Sequence, residues 1–275
     1  MKLELHCHSH YSRGRKIPIE GLDSPADLAR AAKKLGLQGI ALTDHDSDRG
    51  WAEAKEACRR HGLVFIPSIE ISSLSGHVIG LGLNEKIRSG LPLEETLEKI
   101  HEQGAVSVAA HPFDISRDGI GKLAGKACVI EAFNSMNLDR FSNLAAGRFA
   151  EKACMPSIGG SDSHTKEMLG CSINEIDAQD LDSCLRQIKA GKVSFQASYI
   201  PLEKLFPWVK QRFSLSYGDV LQYIDSNYPE PRKWLSKRLL HSFTSSRREG
   251  PWYLLGEAGL AGAKGYGLAR MVITF

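Results

Sequence analysis

The chain has no long hydrophobic run and no paired-cysteine pattern. Its longest apolar segments fall well short of the roughly 20 residues that a membrane helix needs, and the N-terminus enters a strand-like run at Leu3 without a basic and then apolar leader. Six cysteines are scattered without CxxC spacing, so neither a disulfide framework nor a zinc-thiolate site is indicated. We therefore expect a soluble cytoplasmic protein with reduced, mostly buried cysteines.

The chain also lacks a GxGxxG fingerprint, a phosphate-binding loop and a strong overall charge. Its formal net charge is +3, and residues 203–250 hold a local surplus, with nine basic and five acidic side chains. Such a segment is either a solvated helical face or a surface for a polyanionic partner. Nothing in the sequence indicates a membrane partner.

Short strand-like runs alternate with helical segments over the first 200 residues. The strand-like runs are 3–8, 39–45, 64–72, 77–83, 106–112, 128–133, 156–161 and 192–198. Helical segments are predicted at 26–35, 50–61, 92–103, 137–153 and 180–190. This alternation implies a parallel sheet, and so many units favour a closed or nearly closed α/β barrel over an open doubly wound sheet.

The remaining residues, 201–275, have a helical pattern of their own. We expect two units, a barrel at 1–200 and a mainly helical C-terminal extension at 201–275 that packs on the barrel or on another subunit. The extension is expected to cover or lengthen a substrate cleft and to be dispensable for metal binding.

Metal-capable side chains stand at nearly every predicted strand end. His6 and His8 are two residues apart on one strand, so both face one side while Cys7 faces the other. Asp162 and His164 repeat that spacing. The complete set of candidate metal ligands is His6, His8, His45, Glu70, His77, His111, Asp162 and His164.

This donor set predicts the class of metal. Carboxylates mixed with imidazoles, without thiolates, suit zinc, manganese or iron and argue against a structural zinc site. Any one residue has an ordinary alternative as a capping Asp or a hydrogen-bonded core His. Their joint placement at strand ends, where barrel enzymes hold catalytic groups, favours a metal-dependent active site.

In order and spacing, these residues resemble the polymerase and histidinol phosphatase (PHP) family over most of residues 1–200. The resemblance is carried by His6-Cys7-His8-Ser9, Thr43-Asp44-His45-Asp46, Glu70, Gly76-His77, Ala110-His111-Pro112 and Ser161-Asp162-Ser163-His164. It implies a distorted (β/α)7 TIM-like barrel and hydrolysis of phosphate esters at two or three metal ions. Glu131 and Asn134, at another strand end, are similar to a further family motif.

The resemblance also implies how the ligands divide. His6, His8, Glu70 and Asp162 would hold one ion, Glu70 with His77 and His111 a second, and His45 with His164 a third. A hydroxide that bridges metal ions would attack phosphorus, which needs no side-chain nucleophile. Asp162 and His164 are the candidate catalytic residues.

Arg13 marks a departure from the family pattern, because it stands where many members have an Asp or His ligand. Arginine cannot bind a cation. Either the third site is held by His45 and His164 alone, or Arg13 binds a substrate phosphate bidentately. Arg117, in the Gly-rich stretch after His111, is the second candidate for substrate binding.

The sequence therefore predicts a metal-dependent phosphoesterase for a small phosphorylated molecule, with a nucleotide or short oligonucleotide as the leading substrate. Two alternatives stay open. One is a noncatalytic RNA-binding protein that resembles the ribonuclease P protein subunit, which the retained ligands disfavour. The other is a sugar-phosphate or histidinol-phosphate phosphatase, because the metal cluster is common to both and specificity lies in the loops.

Overall fold

The computed structural model describes residues 1–14, 17–116 and 118–274, with side chains described through residue 270. Within these ranges nine strands form one sheet. The strands are β1 (Lys2–Cys7), β2 (Gly39–Leu42), β3 (Val64–Ser73), β4 (Gly76–Leu81), β5 (Val106–Ala109), β6 (Val129–Asn134), β7 (Ser157–Gly160), β8 (Ser172–Ile176) and β9 (Val193–Ala197).

Helices fall into two sets. Five lie between strands, namely α1 (Pro25–Lys34), α2 (Trp51–His61), α3 (Leu93–Glu102), α4 (Phe141–Lys152) and α5 (Leu181–Lys189). Four follow the last strand, namely α6 (Leu202–Leu215), α7 (Tyr217–Asn227), α8 (Arg232–Ser245) and α9 (Gly250–Thr274). The predicted helical segments and the helical C-terminal extension are confirmed.

The sheet has the order β7-β6-β5-β4-β3-β2-β1-β8-β9 and curls into a nearly closed barrel. Closure occurs where the chain beyond β7 returns to β1. There the His8 amide donates to the Ser163 carbonyl at 2.8 Å, and Cys7 and Ser163 form a parallel bridge. The prediction of a distorted α/β barrel is confirmed.

The expectation of a parallel sheet is wrong for half of the strand pairings. β1–β2, β2–β3, β5–β6 and β6–β7 are parallel, whereas β3–β4, β4–β5, β1–β8 and β8–β9 are antiparallel. Only Leu74 and Ser75 separate β3 from β4. That link is too short for the crossover that a parallel pair requires.

All eight predicted strands are present, and the sequence missed only β8. β8 turns polar residues inward, with Ser172 and Asn174 fully buried. The Asn174 side chain pairs with the backbone of Gly159, accepting from its amide at 3.0 Å and donating to its carbonyl at 2.7 Å. A strand whose buried face is polar does not show the apolar alternation used to find strands.

Apolar residues fill the barrel and the layer between strands and helices. Leu3 and Leu5 join strand residues and Ile188 of α5 in one cluster. Ile71 packs with Ile100 of α3 in another. These clusters fix the strands whose ends hold the polar site.

α6 and α9 both contact the barrel unit. On α6, Trp208 is buried with Leu205 and Met168, and its indole N–H donates to the Glu20 carbonyl at 2.8 Å. On α9, Arg270 donates to the Phe113 carbonyl at 3.4 Å. α9 is the longest helix at 25 residues, and no described helix, α9 included, is apolar over enough of its length to cross a bilayer.

Candidate metal centre

The eight predicted ligands converge at one end of the barrel. Their side chains are buried or nearly so, and Glu70 lies at the middle of the cluster. Three groups of side chains contact its two carboxylate oxygens or lie beside them.

The first group joins β1, β3 and the segment after β7. His6 Nε2 and His8 Nε2 are 3.1 Å apart, and each lies 3.3 Å from Glu70 Oε2. Asp162 Oδ1 is 3.5 Å from His6 Nε2 and 3.1 Å from His8 Nε2. Tetrahedral coordination with bonds of roughly 2.0–2.2 Å places ligand atoms about 3.4 Å apart. The five distances among these atoms, 3.1 to 3.5 Å, match the spacing of neighbouring ligand atoms around one ion.

The local conformation of β1 aims both histidines at this group. The β1–β2 register changes by one residue between Glu4↔Ile40 and Cys7↔Leu42, an irregularity of the kind that re-aims side chains. Cys7 faces the other way, packing with Leu28 and Leu42. The predicted opposition of His6 and His8 to Cys7 is confirmed.

The second group uses the other oxygen of Glu70. Oε1 lies 3.0 Å from His77 Nδ1 and 2.9 Å from His111 Nε2. The buried Nδ1 atoms of His77 and His111 have no hydrogen-bond partner. His77 Nδ1 thus lies within 3.0 Å of Glu70 Oε1 without an aligned hydrogen bond, a geometry that a cation shared by the two atoms would fit.

The third group contains a residue that the sequence did not indicate. His45 Nε2 lies 3.4 Å from Glu20 Oε2, and His164 Nε2 lies 3.9 Å from Glu20 Oε1. His45 Nδ1 is 3.4 Å from Glu70 Oε2, so this imidazole lies between the two carboxylates. Glu20 belongs to no motif that the sequence displays, and only the path of the loop after β1 brings it here.

Hydrogen bonds at the far nitrogens fix which imidazole atoms face inward. His6 Nδ1 lies 2.7 Å from Glu131 Oε1, and His164 Nδ1 lies 2.9 Å from the Asp162 carbonyl. A donor N–H at each of these positions leaves Nε2 with a free lone pair. Both Nε2 atoms are thereby directed at the cluster.

Glu131 and Asn134 support the ligands from behind. The Glu131 carboxylate also accepts a hydrogen bond from the His111 backbone N–H at 2.7 Å. The side-chain amide of Asn134 donates to the Glu131 carboxylate at 3.0 Å and to the Asp162 carboxylate at 3.1 Å. Gly160 makes room for this arrangement, because a Cβ there would collide with the Glu131 carboxylate and lie 2.9 Å from the His6 Cβ. The motif at the end of β6 therefore orients ligands.

Two ligands have backbone conformations that side chains rarely adopt. Asp162 has φ +51° and His111 has φ +26°. Such conformations cost of order 1–3 kcal/mol and concentrate at functional sites. Each residue lies two positions after the end of a strand, where the turn directs His111 Nε2 to Glu70 and Asp162 Oδ1 to His6 and His8.

Charge balance within the cluster shifts its pKa values strongly. Burial raises the pKa of Glu70, but His45, His77 and His6 outweigh it and hold that pKa well below the usual value. Burial, helped by the charge of His8, lowers the pKa of His164 to about 4. His164 is therefore a neutral imidazole near neutral pH, the form that binds metal.

Of the two predicted substrate-binding arginines, Arg13 lies within the described residues. Arg13 is exposed on the loop after β1, and its backbone forms a bridge with Ile19. Arg117 lies outside the described residues. Phosphate binding by either residue stays a prediction.

Family models match two parts of the chain, the PHP domain at residues 4–123 and a PHP-associated region at 140–193. An uncharacterised protein of Methanocaldococcus jannaschii is 36% identical over 163 residues, which cover 53% of this chain and 89% of that protein. The chain belongs to the PHP family. The coarse prediction from the sequence, a metal-dependent phosphoesterase of this family, is confirmed.

Two further proteins are similar to parts of the chain or to its fold. A 3′,5′-nucleoside bisphosphate phosphatase of Chromobacterium violaceum is 36% identical over 117 residues, 39% of each chain. A solved two-domain protein of Bacteroides vulgatus, described as containing a predicted PHP-like metal-dependent phosphoesterase, superposes with a TM-score of 0.58 at 18% identity. That match covers 76% of this chain and 69% of the other, and it supports the fold.

Proposed function

We propose that this PHP-family phosphoesterase removes phosphate from a nucleotide or short oligonucleotide, using two or three divalent transition-metal ions. The observation that carries the metal-dependent part is the convergence of imidazole and carboxylate donors on the two oxygens of Glu70. The choice of a nucleotide rests on the similarity to the nucleoside bisphosphate phosphatase. That relative shares only part of its length with this chain.

The donor groups suggest how the ions would divide. His6, His8, Glu70 and Asp162 would hold one ion, Glu70 with His77 and His111 a second, and His45 with His164 a third. Zinc, manganese and iron suit this mixture of nitrogen and carboxylate donors. When bound, the ions would lower the pKa of a water molecule and neutralise charge on the phosphoryl oxygens.

The side chains of the protein would position the metal ions and orient the substrate phosphate. The Asp162 carboxylate faces His6 and His8 of the first group, and its backbone carbonyl holds the His164 ring through Nδ1. We propose that Asp162 and His164 act in catalysis as metal ligands held in place by these contacts. Arg13 would bind a phosphoryl group at the mouth, where its guanidinium can donate two parallel hydrogen bonds.

A cavity between the end of β6 and the C-terminal helices could take the rest of the substrate. It has a volume of about 260 Å³ and is lined in part by Ser135, Arg140, Tyr199 and Lys264. It begins one residue after Asn134, whose amide contacts Asp162. Arg140 lies over the Tyr199 ring at 6.0 Å, a pair that could stack on a base and contact a phosphate, although Glu203 and Glu257 also line the cavity. Residues 201–275 would then form part of the substrate cleft beside the barrel of 1–200.

A metal-reconstitution assay tests the proposal. The protein is stripped with a chelator, reloaded with Mn²⁺, Zn²⁺ or Fe²⁺, and assayed on a 3′,5′-bisphosphonucleoside, a 5′-mononucleotide, a short oligoribonucleotide and a sugar phosphate. We expect activity only after reloading, with kcat/KM at least about tenfold higher on the nucleotides. Undiminished activity after exhaustive chelation would refute metal dependence, and preference for the sugar phosphate would refute the substrate class.

A further inference from the structure

Glu20, and not residue 13, brings a carboxylate to the third group of ligands. The family pattern implies a ligand at position 13, yet Arg13 is exposed. Glu20, seven residues later, instead directs one carboxylate oxygen at His45 and the other towards His164, at 3.4 and 3.9 Å. A carboxylate from another point of the same loop therefore faces both imidazoles of the third group.

The loop that carries Glu20 is fastened to the C-terminal extension. Arg212 of α6 donates from Nε to the Ile19 carbonyl at 2.7 Å and from Nη2 to the Ile17 carbonyl at 3.3 Å. Trp208 holds the Glu20 carbonyl, and the Ile19 amide donates to Ser216 at 3.1 Å. Four side-chain hydrogen bonds from beyond residue 200 thus fix the backbone of residues 17–20.

Arg212 also contacts the carboxylate itself. Its Nη2 lies 3.3 Å from Glu20 Oε1, the oxygen that faces His164. The carboxylate therefore lies between the guanidinium on one side and two imidazoles on the other. A fixed cation beside a metal site is repelled unless an anion lies between them, and Glu20 is that anion.

The fit around Arg212 is close. A Cβ on Gly14 would lie 2.7 Å from Arg212 Nη2 and 2.6 Å from the Ile17 carbonyl. Trp208 packs against the His164 ring with centroids 4.9 Å apart, and Arg212 lies over the Trp208 ring at 5.2 Å. One face of α6 thus touches both His164 and Glu20.

We propose that Glu20 is the carboxylate ligand of the third metal ion and that Arg212 is its positioning residue, so that α6 controls occupancy of that site. This rests on the proposed metal centre but not on the proposed substrate. It makes the extension necessary for one ion, whereas the sequence suggested that the extension is dispensable for metal binding. Groups that orient a metal ligand typically affect metal affinity by 10–100-fold.

Mn²⁺ binding by the full-length protein tests the proposal. Metal-free protein is titrated with Mn²⁺ alone and free Mn²⁺ is measured by electron paramagnetic resonance, so that the isotherm is independent of catalysis. Glu20→Gln should lose one Mn²⁺ of the wild-type complement. Arg212→Ala should weaken one site by about 10–100-fold and leave the others unchanged. Arg238→Ala, which removes an exposed arginine of α8, is the matched control and should bind as wild type does.

A double variant separates positioning from a purely structural role. If Arg212 acts through Glu20, Glu20→Gln with Arg212→Ala should bind no less Mn²⁺ than Glu20→Gln alone. A wild-type isotherm for Arg212→Ala, or additive losses in the double variant, would overturn the proposal. If Arg212→Ala does not fold, Arg212→Lys replaces it, because lysine keeps the charge but cannot reproduce the three contacts. An unchanged isotherm for Arg212→Lys would then overturn the proposal, and absence of Mn²⁺ binding in wild type would instead refute the metal centre.

Discussion

The first two ligand groups and the third are built in different ways. His6, Glu70 and His77 belong to strands whose other residues lie in the apolar core, so their positions follow from barrel packing. The third group depends on Glu20, which belongs to a loop held by α6. A site fixed by strands resists local changes, while a site fixed by a loop can be altered from a distance.

Glu70→Gln tests the shared centre and should have the largest effect. Both carboxylate oxygens contact imidazoles of different groups, so the neutral amide weakens more than one site. We expect loss of more than one metal equivalent and a fall in kcat/KM of roughly 10³-fold or more.

Metal analysis and steady-state kinetics measure this effect. Glu98→Gln, on the exposed face of α3, is the matched control and should behave as wild type. Full metal content in Glu70→Gln would show that Glu70 does not join the groups.

Glu4→Gln tests the stability of β1, the strand that carries His6. Glu4 is fully buried, and burial raises its pKa from 4.5 to about 7 despite hydrogen bonds from backbone amides. Because the folded pKa lies above the unfolded one, its stabilising contribution is complete below pH 4.5 and is lost as pH rises through about 7. The linked change is about 3 kcal/mol.

Urea unfolding of metal-free protein at a series of pH values measures this contribution of Glu4 to the free energy of unfolding. Wild type should lose free energy of unfolding relative to Glu4→Gln between about pH 4.5 and 7. Gln loses one acceptor for a backbone amide, a cost of about 1 kcal/mol that does not vary with pH. A difference that stays constant across this range would contradict the shifted pKa.

Glu131→Gln tests how firmly β1 alone holds His6. The amide can keep one hydrogen bond, but it loses the charge that favours the N–H at His6 Nδ1 and the lone pair at Nε2. We expect affinity for one ion to fall by 10–100-fold, with the third group unaffected. Mn²⁺ titration beside Glu151→Gln, an exposed glutamate of α4, provides the check, and equal isotherms would mean that strand geometry alone is sufficient.

The sequence predicted the ligands of the first two groups because the patterns that reveal them lie within a few neighbouring residues. Spacings of two residues, as in His6 and His8, and polar residues after apolar strands place side chains on one rim without knowledge of the fold. Glu20 was missed because its position depends on contacts with Arg212 and Trp208, nearly 200 residues away. The antiparallel pairings were missed for a related reason, since pairing direction depends on the path of the connections.

Substitutions of Arg13 should have the smallest effects. The position of Glu20 changes the result expected when Arg13 is replaced by Asp. With a carboxylate already beside His45, Arg13→Asp has no empty position to fill and should not raise metal content. If Arg13 binds substrate phosphate, Arg13→Lys should raise KM by about three- to tenfold, roughly 1 kcal/mol, since lysine cannot donate two parallel hydrogen bonds to one phosphoryl group. The turnover number should stay close to wild type because Arg13 is exposed on the loop after β1. Steady-state kinetics and metal analysis of both variants, with Arg49→Lys at another exposed arginine as control, measure these effects. An extra metal equivalent in Arg13→Asp would show that the loop-built group is incomplete with Glu20 alone, and an unchanged KM in Arg13→Lys would remove Arg13 from the site.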